Sequence, residues 1–323
     1  MSGAIAVQGS QAPRPGAGPP PWERLDPGTR AAIRELHRLR PAANAVALLY
    51  FALWAGGAWL VLSGLGWPAR LLGTLSIGVG IHALATLMHE GGHGSLWRRR
   101  GLDRWTAFLC GLGCGLSATA YRVAHLEHHR HLRTNLDPEE FTAVSPRRWV
   151  QSAAFWAWGA VGGATYFFFV PCVGLARGTW RERRAILVEY AAMAAVVASV
   201  WVGASYAGRT GEVVACWAVP MIVVVAITNV RGWAEHAMTP RGDAWTETRT
   251  VESNRVVSLL LGGTNYHLEH HLYPGVPWYR LHRLHGLLAP YEAAAGSPCY
   301  RSYTRFLLDA VRTGVHGVAR GVR

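Results

Sequence analysis

Three short runs gather most of the histidines of this 323-residue chain. HEGGH places His89 and His93 four residues apart; AHLEHHRHLRTNLDPEE carries His125, His128 and His129; NYHLEHHLYPGVPWYRLHRLH carries His267, His270 and His271. On a helix, positions i, i+3 and i+4 share one face, so each run can aim its imidazoles at a single point. Imidazole is the commonest metal ligand and suits zinc, copper, iron and nickel alike. HEGGH alone also matches the HExxH signature of zinc proteases, with Glu90 as the base that activates water. That chemistry takes three protein ligands on one zinc and leaves the other clustered histidines idle. Two metals can use them all. A ninth candidate, His236 in NVRGWAEHAM, follows an apolar run and falls beside the boxes. His37, His82, His131, His282, His285 and His316 read as ordinary residues, because a lone imidazole is readily satisfied by hydrogen bonding.

The first and third boxes are well over a hundred residues apart, so the fold must bring them together. Half of the chain is hydrophobic and only 16% is charged. The apolar residues are bunched into blocks, as in membrane spans. A bilayer core about 30 Å thick needs roughly 20 apolar residues in a helix. Ala42 to Leu65, Leu71 to Met88, Val150 to Leu175, Ala185 to Ala207 and Val213 to Val230 are the candidates. Trp105 to Ala120, shorter and broken by glycines, is expected at the interface or as a re-entrant hairpin.

Charge sets the orientation. The net charge of +13 is carried wholly by arginine, and arginine-rich short loops mark the cytosolic side. Arg98 to Arg100 with Arg104, Arg147 with Arg148, Arg177 with Arg181, Arg183 and Arg184, and Arg231 with Arg241 flank the apolar blocks. The linkers GWPAR and AGRTG carry one arginine each and are expected outside. Two hairpins then return the chain to the cytosol at HEGGH and near Arg231. Parity keeps Val150 to Leu175 from crossing, and it is expected to lie in or dip into the cytosolic leaflet. The expected fold is an all-α integral membrane protein: four transmembrane helices in two hairpins, interfacial helices and a cytosolic histidine-rich cap. Residues 1–30, rich in Pro and Gly, read as a disordered cytosolic tail, 31–290 as the membrane domain, and 291–323 as a basic amphipathic tail that lies on anionic lipid, the commoner role, or receives an acidic donor. The arginines track membrane flanks and no nucleic-acid motif is present, so no nucleic-acid partner is expected. Five cysteines, mostly in apolar runs, suggest neither a disulfide frame nor a metal knuckle. The arginine-only, alanine- and glycine-rich composition points to a bacterial cytoplasmic membrane.

HEGGHGSL, HLEHHRHLRTNLDPE and NYHLEHHLYPGVPWYRL, in this order with hydrophobic hairpins between them, resemble the boxes of the membrane fatty acid desaturase family over about Ala42 to His285. The resemblance implies that His89, His93, His125, His128, His129, His267, His270 and His271 ligate two Fe ions in a non-haem di-iron centre. His236 stands where that family often has a ninth histidine. It further implies O2 as co-substrate and desaturation of an unactivated C–C bond in a fatty acyl or related lipid chain entering from the bilayer. Two electrons would come from outside; with no fused cytochrome b5 segment recognised, a separate ferredoxin or cytochrome b5 type donor is expected. HHRH and NYHLEHHLYP are also similar to carotenoid ketolases, which leaves hydroxylation or ketolation as the alternative and intramembrane zinc proteolysis as a remote one. Glu90, Glu127, Glu235 and Glu269 stand beside box histidines and could accept their N–H groups. Asp137 and Asn265 could do the same or hold water; for all six the plainer reading is a solvated or capping residue.

Overall fold

Helix-breaking residues punctuate the apolar blocks where the chain turns. In the computed structural model, which describes residues 21–97, 99–140, 145 and 147–318, α1 (Pro27–Leu36) leads through a short 3-10 turn into α2 (Val46–Leu62). A turn through Gly64 and Gly66 then starts α3 (Trp67–His93), whose first turn holds Pro68. Proline suits that position because its missing N–H would be unpaired there anyway. α3 stops at Gly94, which adopts φ 71° and bonds back to Glu90 and Gly91 carbonyls, a left-handed cap that suits a residue without Cβ. HEGGH is therefore the last turn of a long apolar helix.

α4 (Arg100–Cys114) and α5 (Ala118–His131) follow, bent by 100° at their junction. The glycine-broken block Trp105 to Ala120 falls on this bent pair, whose length and composition suit a broken span or a re-entrant loop, and Gly115 at φ 71° makes the turn. Ser117 caps α5 by accepting from Ala120 N–H, while its own hydroxyl donates to Glu189 at 2.6 Å. α6 (Arg148–Arg177) precedes α7 (Trp180–Tyr206), which starts at a Thr179/Glu182 capping box. α8 (Thr210–Val213) runs through a π-helical turn into α9 (Met221–His236). The remaining chain is short elements: β1 (Thr250–Val251), α10 (Arg255–Leu260), α11 (His267–Leu272), α12 (Leu281–Ala295), β2 (Cys299–Tyr300) and α13 (Tyr303–Val318).

Among the described residues five helices are long and apolar enough to cross a membrane: Pro41–Leu62, Trp67–His93, Arg148–Arg177, Trp180–Tyr206 and Thr210–His236, with a sixth if α4 and α5 form one bent span. Leu48, Trp59, Val188 and Ile222 are exposed on them, as residues facing hydrocarbon can be. The chain is a multi-pass membrane protein. α6 passes that test of length, although the expectation kept its block from crossing. Its contacts bear on its direction. Phe155 near its start packs on Trp233, one turn before His236 (4.7 Å); Tyr166 at its middle donates to Glu139 (2.5 Å); Arg177 at its end donates to Glu127 and the Leu136 carbonyl (3.1 and 3.0 Å). A helix of 30 residues is about 45 Å long, yet beginning, middle and end all touch the histidine-bearing layer.

Two boundaries differ from the expectation. Residues 1–20 of the expected tail lie outside the described residues, but the chain is helical over Pro21–Arg24 and again in α1. Leu25, Ile33 and Leu36 are buried with Leu281, Leu284 and Leu288 of α12. The amphipathic face of α1 has a protein partner there, which composition could not reveal. At the other end α12 runs past residue 290. Tyr300, Phe306 and Ala310 are buried against Phe155 and Trp233, so this segment packs on the protein. The side chain of His316 lies outside the described residues. The all-α expectation also misses a parallel ladder, Thr250 with Cys299 and Val251 with Tyr300, which ties the end of the chain beneath the third box.

Candidate metal centre

Four elements deliver the nine predicted histidines to one place. His89 and His93 come from the last turn of α3, His125, His128 and His129 from α5, His236 from the last turn of α9, and His267, His270 and His271 from α11. The HEGGH glycines have distinct reasons. A Cβ on Gly91 would stand 2.7 Å from Ala107 Cβ and 2.9 Å from the Asp103 carbonyl, so only glycine lets α4 lie this close; Gly92 is under no such pressure.

The imidazoles divide into five and four. In the first group Nε2 atoms are 3.1 Å apart for His89 and His270, 3.0 Å for His93 and His125, 3.0 Å for His125 and His129, and 3.2 Å for His129 and His270. In the second, His236 and His267 are 2.7 Å apart and His267 and His271 3.0 Å, with the His128 ring 4.8 Å from His236 and 5.1 Å from His271. The groups meet where His129 stacks on His271 at 4.1 Å.

Hydrogen bonds alone cannot satisfy this arrangement. A neutral imidazole has one donor and one acceptor, so five mutually close nitrogens leave several lone pairs facing one another. Two ligands at right angles, each about 2.1 Å from an ion, stand roughly 3.0 Å apart, which is the spacing seen. His128 supplies a sharper test. Its Nδ1 donates to Asp137 at 2.8 Å, and a carboxylate can only accept, so in the neutral ring that a metal ligand requires Nε2 carries the lone pair. That Nε2 is buried, has no partner among the described residues, and belongs to the group with His236 and His271. The residues fit two metal ions. Burial together with neighbouring imidazoles holds His267, His270 and His271 well below the usual imidazole range, keeping them neutral as ligands require.

Three of the six proposed supporting residues touch box histidines. Glu90 accepts from His89 Nδ1 at 3.2 Å, and its other oxygen accepts from Ser95 Oγ and the Trp278 N–H at 2.8 and 3.0 Å. A carboxylate so occupied orients a ligand, which is a poor arrangement for the base of a zinc protease. Asp137 holds His128 and also accepts from the N–H groups of Arg133 and Glu139. Burial would raise its carboxyl, but His128 and those N–H groups outweigh burial and keep it ionised. Glu235 lies 3.6 Å from His267 Nδ1 and 3.6 Å from Arg231.

The other three act elsewhere. Glu127 points away from the centre, to Arg130, His131 and Arg177. Glu269 is buried against Thr250 Oγ1 (2.6 Å) and His285 Nδ1. Asn265 donates to the Val251 carbonyl at 3.0 Å, tying the third box to β1. Sequence reasoning passed over four positions. Tyr121 stacks on His125 at 5.2 Å. Arg249, fully buried, donates to the Ala234 and Ala237 carbonyls and so caps the end of α9 beside His236. His285, read as an ordinary histidine, holds Glu269 next to His270. Arg231, counted as a flanking charge, turns inward to Thr264 and Glu235. An arginine at the end of an apolar span was the signal for the last, since such charges commonly serve a site.

Comparison with known proteins agrees with this geometry. A sequence model of the fatty acid desaturase family matches residues 65–303. The chain is 32% identical over 223 residues to a beta-carotene ketolase of Paracoccus sp. (strain N81106 / MBIC 01143), covering 66% of this chain and 76% of that protein. It is 27% identical over 293 residues to dihydrorhizobitoxine desaturase of Bradyrhizobium elkanii, covering 79% and 78%. It is 24% identical over 295 residues to a sphingolipid delta(4)-desaturase/C4-monooxygenase of Homo sapiens, covering 87% and 84%. A family match over most of the chain, and relatives that desaturate or insert oxygen, make this protein a member of the fatty acid desaturase family, a membrane oxidoreductase of the desaturase or hydroxylase and ketolase type.

Proposed function

We propose that the protein is an O2-dependent di-iron oxidoreductase that desaturates an unactivated C–C bond of a fatty acyl or related lipid chain, with electrons from a separate ferredoxin or cytochrome b5 type donor. The observation that carries this reading is the division of nine buried or half-buried histidines into groups of five and four. Two iron ions bound there supply the oxidation of an unactivated C–H bond by O2. The protein's own work is placement. Asp137 and Glu90 fix the Nδ1 protons of His128 and His89, so that Nε2 faces the centre. Glu235 and Arg231 brace His267. Met88, Leu116 and Phe167 wall a cavity of about 60 Å³ that abuts His89, and such walls exclude water from the reacting carbon.

In the same proposal four helices cross, namely α2, α3, α7 and the α8 to α9 run, and α6 lies along the cytosolic leaflet with the histidine centre. Its three contacts with that layer support this. A second reading, oxygen insertion as hydroxylase or ketolase, is favoured by the likeness to the Paracoccus ketolase. The two outcomes differ in where the substrate carbon rests, within fractions of an ångström. Iron per chain, measured in protein purified in mild detergent from iron-supplemented cells, tests the reading: about two, lost in His270→Ala, is expected of two ions sharing these groups. One zinc that survives His270→Ala overturns it. Product mass then separates loss of two hydrogens from gain of oxygen.

A further inference from the structure

His82 lies on α3 seven residues before His89. That spacing returns to the same helix face, about 10 Å further into the apolar part of the helix. His82 is 3% exposed and has no hydrogen-bond partner among the described residues. An imidazole keeps one donor or acceptor at each nitrogen in every tautomer, and burying these unpaired among apolar helices is unfavourable. Leucine would fill such a position better.

Two cavities meet at this residue. The small one against His89 and a larger one of about 430 Å³ are both lined by His82 and Arg231. The larger is walled by apolar residues of three helices, among them Val79, Ile227, Val230 and Leu260. Several other polar groups at the junction are engaged: Thr86 Oγ1 donates to the Ala83 carbonyl, Thr228 Oγ1 to the Val224 carbonyl, Tyr166 to Glu139, and Arg231 Nη1 to Thr264, while the Tyr121 hydroxyl and Arg231 Nε make no hydrogen bond among the described residues. Tyr121 lines only the small cavity and Arg231 Nε faces Glu235 at 3.6 Å, which leaves His82 as the group open to both cavities.

We propose that His82 is the polar anchor of the substrate site. It hydrogen-bonds an oxygen function, a hydroxyl or carbonyl, borne by an otherwise apolar lipid that fills the larger cavity. This oxygen sits about 10 Å from the carbon that reacts beside His89. Fatty acyl and related lipids are thereby narrowed to those whose oxygen function lies about 10 Å from the reacting carbon. The proposal rests on the oxidoreductase reading above, because it takes the carbon beside His89 as the one that reacts.

Binding of radiolabelled octadecan-1-ol and octadecane to the full-length, iron-loaded protein in detergent tests it. The wild type is expected to prefer the alcohol by about tenfold, the effect of one buried hydrogen bond. His82→Leu should abolish the preference, and His82→Gln, which keeps a donor and an acceptor, should retain most of it. Equal binding of the two probes by the wild type, the result if His82 is satisfied by water alone, overturns the proposal. So does a preference that survives His82→Leu. Iron per chain, measured on the same samples, reports on the di-iron reading independently: a wild type that binds no iron pair but still prefers the alcohol defeats that reading and leaves the anchor standing.

Discussion

Asp137→Ala isolates one half of the proposed centre. The Asp137 carboxylate accepts from His128 Nδ1 at 2.8 Å and from the N–H groups of Glu139 and Arg133, each at 2.9 Å. Losing a carboxylate that orients a ligand imidazole typically lowers metal affinity 10- to 100-fold, or about 1.4–2.8 kcal/mol. Because His128 belongs to the group of four, that loss should fall on one ion. The two backbone N–H groups left behind cost about 1–3 kcal/mol each in fold stability, so Asp137→Asn serves as the companion variant. Its amide oxygen can still accept from His128 while the fold keeps its volume, and about a tenfold loss is expected. The assay is anaerobic titration of metal-free protein with Fe(II), followed by a signal that separates one bound ion from two. Wild type should load both sites, and Asp137→Ala should load the five-histidine site normally and the other only at 10- to 100-fold higher iron. Equal weakening of both sites would show that the variant acts through global loosening. An unchanged titration would refute the role given to the Asp137 to His128 pair.

Other perturbations test the scaffold. Gly91→Ala would drive a methyl to 2.7 Å from Ala107 Cβ, an overpacking expected to cost about 1–3 kcal/mol; melting in detergent should show the loss and Ala107→Gly should restore part of it. Arg249→Gln removes the guanidinium bonds to the Ala234 and Ala237 carbonyls beside His236, so iron should be lost first from the four-histidine site, and an unaltered iron stoichiometry and melting point would contradict the capping role. His285 supplies a pH test. Burial opposes its charge, but hydrogen bonds to Glu269 and Glu292 prevail and raise it from 6.5 to about 10. A group raised on folding stabilises fully below its unfolded value, so this contribution is complete below about pH 6.5 and is lost as pH rises to about 10. His285→Gln should therefore be less stable than wild type at pH 6 and should converge with it by pH 10, in melting curves taken across that range.

Much of the centre was legible because helical spacing is a local property. HxxxH and HxxHH place imidazoles on one face whatever the rest of the chain does, and apolar blocks of membrane length place those faces at helix ends. So the convergence of nine histidines, the glycine break between α4 and α5 and the membrane class could be read in order along the chain. Asp137 was visible for a similar reason, lying nine residues from His128 in one tight loop. What the sequence could not decide was how distant segments meet. The division into five and four splits the second and third boxes, keeps the first whole and adds His236 of α9 to the four, so boxes and groups do not correspond one to one. Glu90, Glu127 and Glu269 look alike in sequence, each next to a box histidine, yet one touches an imidazole, one reaches surface arginines and one holds His285. Helix rotation separates them, and packing against neighbouring helices sets that rotation. The same holds for Arg249 and His82, whose partners or lack of them appear only once α9, α3 and the end of the chain are assembled.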